Sequence, residues 1–302
     1  VANQLYKFNV RDQSATVMGA EINSLLGFNL TADDSRRGGP MVSSAAKGTA
    51  NVRALTPWVD KLIRDHSVTS LLATTSSWDF DIFALDDVTG TQTLIILFIH
   101  LVQVFDLDLQ LNLSLPNLVR FLTKLQSGYR KVPYHGYLHA CDSLHATAYF
   151  LSQPRLRQIV NAFDTYVLLL AAAMHDHDHR GLNNQYYVNS SDELAILYND
   201  TAVLEMHHLA SSWSILSVDS HNPLVGFSQE QFLDARTTIT QAVLGSEPRR
   251  HFEHVTYFKT RVAANAFDVP ELSDTRLLLT TTLYAADICS PAKTWKYASV
   301  WA

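Results

Sequence analysis

Nine consecutive apolar residues, Tyr166 to Met174, run directly into His175-Asp176-His177-Asp178-His179. Such a run belongs in a core, and an ionised aspartate at its end is costly unless its charge is paired or bound to a metal. The plain alternative is a helix end that surfaces and solvates itself, but a solvated surface has no reason to select His-Asp-His-Asp-His. Asp287 repeats the pattern. Leu277 to Ala286 is apolar apart from its threonines, and a carboxylate after such a segment sits badly with the negative end of a helix dipole. A cation nearby resolves both cases.

The remaining pattern is helical. Leu94 to Phe105 and Leu118 to Leu125 carry apolar residues at three- and four-residue spacing, as buried helices do. Ser114 to Pro116 reads as a helix start. Phe163 to Met174, Asp192 to Asn199, Val203 to Leu216, Gln229 to Leu244 and Thr275 to Ile288 read as further helices, with Pro270 to Asp274 preceding the last and Trp78 to Leu85 forming a short apolar-acidic entry. No segment alternates with β-branched enrichment, and 11 Gly and 9 Pro are few for a turn-rich β protein. The expectation is an all-α, compact multi-helix domain with a two-metal site at the bottom of a pocket. Residues 1–57 read as an N-terminal extension with a flexible Ser/Gly/Ala/Asp-rich loop near 31–51, and 58–302 as the main domain. Beginning at Val1, the chain is expected to be a fragment.

Composition sets outer bounds. With 47% hydrophobic and 17% charged residues the chain is globular, and its net charge of −6 gives no general pull toward nucleic acid or anionic lipid. Cys141 and Cys289 make no disulfide framework and suit a reducing, cytoplasmic (intracellular) setting. The most apolar window, Leu94 to Phe105, is too short for a bilayer and is interrupted by His100 and Gln103, so no membrane segment is expected.

Eight of the thirteen histidines fall between His135 and His208. His135 and His139 are four apart, which on a helix places both rings on one face; one can bind a metal while the other points beyond it at a substrate. Together His139, His175, Asp176 and Asp287 offer two imidazoles and two carboxylates from three distant segments, a set that suits Zn²⁺ with water completing the shell. Asp176 has two oxygens and can bridge to a second, harder cation, Mg²⁺ or Mn²⁺. Two such metals, roughly 3.5–4 Å apart, can share a hydroxide and clamp a phosphoryl group.

Five stretches taken in order resemble the class I cyclic nucleotide phosphodiesterases. They are Tyr134-His135 with His139, Ala140 and Asp142; His175-Asp176 with His179, Gly181 and Asn184; Leu194-Ala195 with Tyr198-Asn199-Asp200; Val203-Leu204-Glu205 with His207-His208; and Ala286-Asp287-Ile288 with Pro291, Lys293 and Trp295. The resemblance spans about Trp78 to Trp301 and looks closest to the cyclic AMP-preferring branches. It implies His139, His175, Asp176 and Asp287 as zinc ligands, with Asp176 bridging to magnesium. It implies His135 as the general acid that protonates the departing O3′, with nearby carboxylates raising its pKa. It implies His179 and Glu205 as holders of metal-bound water, and Asn184 and His208 as supporting residues, with Tyr134 beside them in the pocket. The activity so implied is attack by a metal-bridging hydroxide on cyclic AMP and cyclic GMP, giving the 5′-nucleotide, with regulatory domains expected outside this chain.

The sequence also departs from the family. Ser246-Glu247 stands where many members have Thr-Asp, and Ser290 where they often have a purine-contacting Asn. The resemblance further implies C-terminal helices carrying a purine-binding glutamine, a stacking aromatic and a carboxylate behind the general acid; the chain given ends at Ala302, so the domain is expected to be cut short of them. Two other readings compete. A metal-dependent phosphohydrolase of the broader His-Asp type shares the metal residues but leaves Tyr198-Asn199-Asp200 and the Glu205 to His208 stretch without a reason. A catalytically dead binding module leaves an intact His135 without one.

Overall fold

The long apolar runs become the axes of a helical core. The structure, a computed structural model, describes residues 55–302; the expected loop near 31–51 lies outside the described residues. In chain order the helices are α1 (Pro57–Ile63), α2 (His66–Leu72), α3 (Ile82–Thr89), α4 (Thr93–Val104), α5 (Leu107–Leu111), α6 (Leu115–Gly128), α7 (Tyr137–Leu151), α8 (Pro154–Ile159), α9 (Ala162–Met174), α10 (Asn184–Ser190), α11 (Glu193–Leu197), α12 (Val203–Leu216), α13 (Gln229–Leu244), α14 (His251–Ala263), α15 (Leu272–Asp287) and α16 (Trp295–Trp301). No strand occurs among the described residues.

Helix α9 is the centre. Tyr166 to Met174 are all wholly buried, and each such Leu contributes about 1.5–3 kcal/mol. Asn161 starts the helix by accepting from the Asp164 N–H at 2.9 Å. Helix α9 packs on α7 and α13, α15 packs on α7 and α13, and α4 closes over α7. The three ligand-bearing segments therefore leave the same packed layer: the start of α7, the end of α9 and the end of α15. No single helix among the described residues is long and apolar enough to cross a membrane.

The boundaries match the sequence reading closely for α12 and α13, and Ser114 with Pro116 does begin α6. Three expectations shift. Helix α15 starts at Leu272 rather than Thr275, because Glu271 and Asp274 form a capping box. The Asp192 to Asn199 segment is helical only over Glu193–Leu197, since Asn199 and Asp200 turn into the left-handed region. His135 is not on a helix: α7 begins at Tyr137, after Gly136 adopts extended backbone as its N-cap.

Candidate active site

His139 lies in the first turn of α7, His175 caps the end of α9, Asp176 follows it, and Asp287 is the last residue of α15. One donor atom from each converges within 4.8 Å of all the others. His139 Nε2 is 3.0 Å from Asp287 Oδ1 and 3.5 Å from Asp176 Oδ2. His175 Nε2 is 3.3 Å from Asp287 Oδ1, 3.5 Å from Asp176 Oδ2 and 3.4 Å from His139 Nε2. The other ring nitrogen of His175 donates to the Ala172 carbonyl at 2.9 Å, so Nε2 is left to ligate; a backbone carbonyl commonly orients a metal-binding histidine in this way.

The electrostatics favour a cation here. Asp176 Oδ2 is buried and has no hydrogen-bond partner, a costly condition for a carboxylate oxygen. Burial opposes its charge, yet His175 and the other surrounding imidazoles hold Asp176 far below the carboxylate range. Burial likewise opposes charge on His175, but Asp176 and Asp287 override it and raise its pKa to about 9. The same pair of carboxylates that favours the charged form of His175 would favour a divalent ion between them. Two imidazole nitrogens with two carboxylate oxygens are a suitable zinc donor set.

Asp176 faces a second group as well. Its Oδ1 lies 3.7 Å from His208 Nε2, and donor atoms of Asp176, His179 and His208 again fall within 4.8 Å of one another. His208 Nδ1 donates to the His177 carbonyl at 2.7 Å, and burial lowers its pKa to about 4. Its Nε2 lone pair therefore faces a carboxylate oxygen, two acceptors that require a cation or a donor between them. His179 has the opposite tautomer. Its Nδ1 accepts the Gly181 N–H at 2.9 Å and burial lowers its pKa to about 3, so its Nε2 carries the proton and donates. The α12 wall adds Glu205, which accepts from Asn184 Nδ2 at 2.8 Å while Asn184 Oδ1 accepts the Leu204 N–H at 2.8 Å. Burial raises Glu205 to about 7, with Glu247 and Asp176 adding to the rise.

His135 reaches the cluster from the loop before α7. Its ring stacks on His179 with centroids 4.1 Å apart and stands 5.7 Å from His139. Its pKa is lowered rather than raised, because burial outweighs the pull of Asp176 and Asp287; the expectation of raising by the carboxylates is corrected. Tyr134 packs its ring on both His135 and His139, and its hydroxyl meets Ser290 Oγ at 2.8 Å. Ser246 is buried with its hydroxyl donating to the Val243 carbonyl at 2.8 Å. Glu247, half-buried, lies near enough to act on Glu205. Trp301 also borders the cluster, 5.9 Å from His139 and 5.5 Å from Tyr134 between ring centroids.

Lys293 and Asp142, both singled out in the sequence but given no role there, form a buried ion pair. One support, Tyr129, escaped the sequence reading. Tyr129 donates its hydroxyl to the Ala173 carbonyl at 2.8 Å, bracing the end of α9 that presents His175.

Residues 134–302 match the family model described as 3′5′-cyclic nucleotide phosphodiesterase. The mouse dual specificity calcium/calmodulin-dependent 3′,5′-cyclic nucleotide phosphodiesterase 1C is 31% identical over 238 residues, which is 78% of this chain and 33% of that protein. The mouse high affinity cAMP-specific and IBMX-insensitive 3′,5′-cyclic phosphodiesterase 8A is 34% identical over 243 residues, 74% of this chain and 30% of that protein. This chain thus spans about a third of the length of these curated relatives. The crystal structure of the phosphodiesterase domain of Salpingoeca rosetta rhodopsin phosphodiesterase superposes with a TM-score of 0.70 at 26% identity, covering 80% of this chain and 70% of that one.

Proposed function

This chain belongs to the 3′,5′-cyclic nucleotide phosphodiesterase family, a membership that implies dependence on divalent metal, and from it we propose that the chain hydrolyses the 3′,5′-cyclic phosphodiester of cyclic AMP, and of cyclic GMP, to the 5′-nucleotide. The observation that carries this reading is a single carboxylate, Asp176, with one oxygen toward His139, His175 and Asp287 and the other toward His208. His139, His175, Asp176 and Asp287 would hold Zn²⁺. Asp176, with its other carboxylate oxygen toward His208, would also help hold Mg²⁺ or Mn²⁺, whose preference for retained water suits the His179 Nε2–H and Glu205 as hydrogen-bonding partners of that water. When bound, the cations neutralise charge on a phosphoryl group and make water a nucleophile at neutral pH.

The chain's own residues then orient and move protons. His135 donates to the O3′ that leaves. Burial holds its pKa down in the free protein, and the anionic phosphodiester adds an upward pull as it arrives, so the acid is armed when substrate is present. Tyr134, tied to Ser290, packs its ring against both His135 and His139 and so limits the movement of each. Asn184 fixes Glu205, and Ser246 with Glu247 lies behind it. The catalytic unit is 58–302, an intracellular enzyme with regulatory domains outside this chain.

The test is a substrate panel on the metal-loaded chain: cyclic AMP, cyclic GMP, nucleoside monophosphates and p-nitrophenyl phosphate, with products resolved by chromatography. Release of 5′-nucleotide from the cyclic substrates alone supports the proposal; turnover of only the monoesters contradicts it. His135→Asn should slow cyclic nucleotide turnover about 10²–10⁴-fold with metal content unchanged, and an unaltered rate would place the acid elsewhere.

A further inference from the structure

The turn from His175 to Gly181 must aim three polar side chains at once, and its backbone enters the left-handed region where it does so. Asp178 has φ of 61°, a left-handed conformation that non-glycine residues adopt sparingly, Asp and Asn more readily than most. Asp176 and His179, on either side of it, point into the cluster. Local bonds explain part of the turn: the His177 N–H reaches the Met174 carbonyl at 3.0 Å and the His179 N–H the Asp176 carbonyl at 3.1 Å. They do not explain Asp178.

What fastens Asp178 comes from two other elements. Arg130, in the loop between α6 and α7, donates through Nε to Oδ1 at 2.6 Å. His207, on α12, donates through Nε2 to Oδ2 at 2.7 Å. Each carboxylate oxygen thus has one strong, charge-assisted partner, one on either side of the turn. His207 stands next to His208, whose Nδ1 donates to the carbonyl of His177. Helix α12 is therefore joined to the turn at adjacent positions, by His207 to Asp178 and by His208 to His177. That double attachment sets the distance between His208 Nε2 and Asp176 Oδ1.

We infer that Asp178 is a positioning residue for the second cation: clamped between Arg130 and His207, its carboxylate holds the turn in left-handed backbone and so fixes how Asp176, His179 and His208 face one another. Asp178 touches neither substrate nor metal and acts through its neighbours. The inference rests on the proposed reading of Asp176 as a holder of the second cation, with His179 hydrogen-bonding its water and His208 beside it. Partners of this kind, one step removed from the ligands, alter metal affinity by about 10–100-fold when lost.

The test titrates Mn²⁺ into the metal-stripped full chain by calorimetry, with melting temperatures of the stripped proteins measured alongside. Asp178→Asn keeps the shape and tolerates left-handed backbone, but its amide cannot accept from both donors as a carboxylate does. It should weaken the weaker Mn²⁺ step about 10–100-fold, while the stripped protein melts within a degree or two of wild type. Arg130→Gln and His207→Gln, each disturbing only one of the two partners, should give smaller losses in the same step. Asp178→Gly adopts left-handed backbone freely but lacks the carboxylate, and should still lose affinity. The clamp is overturned if Asp178→Asn binds Mn²⁺ within twofold of wild type, or if its affinity falls only in proportion to lost folding. Wild-type chain that binds no Mn²⁺ at all overturns both the clamp and the cation reading beneath it; normal wild-type binding with an unaffected Asn variant overturns the clamp alone.

Discussion

Replacing Lys293 with Met removes one charge from a deeply buried ion pair. Lys293 is 6% exposed and Asp142 3%; the ammonium is bonded to the carboxylate and also lies 5.7 Å from the centre of the Trp78 ring. Burial works against the ammonium, but Asp142 overrides it and keeps the pKa above its ordinary value. Met retains the apolar stem, so packing changes little. What remains is a buried carboxylate with no counter-charge, and breaking such a pair costs about 3–5 kcal/mol, a large share of the roughly 5–15 kcal/mol that holds a typical domain together. The double variant Asp142→Leu with Lys293→Met removes both charges and should recover to within about 1 kcal/mol of wild type. The pair also joins the helix that carries His139 to the segment following Asp287, so the single variant should bind zinc more weakly and the double variant close to normally. Urea denaturation of the metal-stripped proteins reads the first effect and zinc titration the second. A single variant that loses less than about 1 kcal/mol, or a double variant no better than the single, would refute the reasoning.

Other perturbations test separate parts of the account. A Cβ at Gly128 would overlap the His177 ring, so Gly128→Ala should destabilise the fold by about 1–3 kcal/mol; an unchanged melting temperature would show that the ring moves aside freely. Burial raises Glu205 from 4.5 to about 7 in the metal-free protein, meaning that the fold favours its neutral form. The stability this group contributes is present below pH 4.5 and is lost as pH rises through 7, by about 3 kcal/mol. Glu205→Gln should flatten that slope, and identical pH profiles for variant and wild type would contradict it.

The parts that were legible from sequence are those with a local cost. An aspartate after nine buried apolar residues, and another after Leu277 to Ala286, could be singled out because charge is expensive there; the structure brings both to one point with His139 and His175. Helix α13 was legible because Ser228 and Gln231 form a capping box at its start. Helix α14 was not singled out: its apolar residues Phe252, Val255, Phe258 and Val262 do fall at helical spacing, but only Phe258 among its residues is buried. Spacing alone put His135 on the helix of His139, whereas the helix starts only after Gly136. The Asp178 clamp and the Asp142–Lys293 pair join residues far apart in the chain, and no local pattern announces such partners.

The central claim is that Asp176 links two cation sites, and metal content measures it most directly. Wild-type chain loaded with Zn²⁺ and Mn²⁺, dialysed and analysed by mass spectrometry, should retain both ions, and Asp176→Ala should retain neither while remaining helical by circular dichroism. An Asp176→Ala protein that keeps its full complement of both metals would contradict the account.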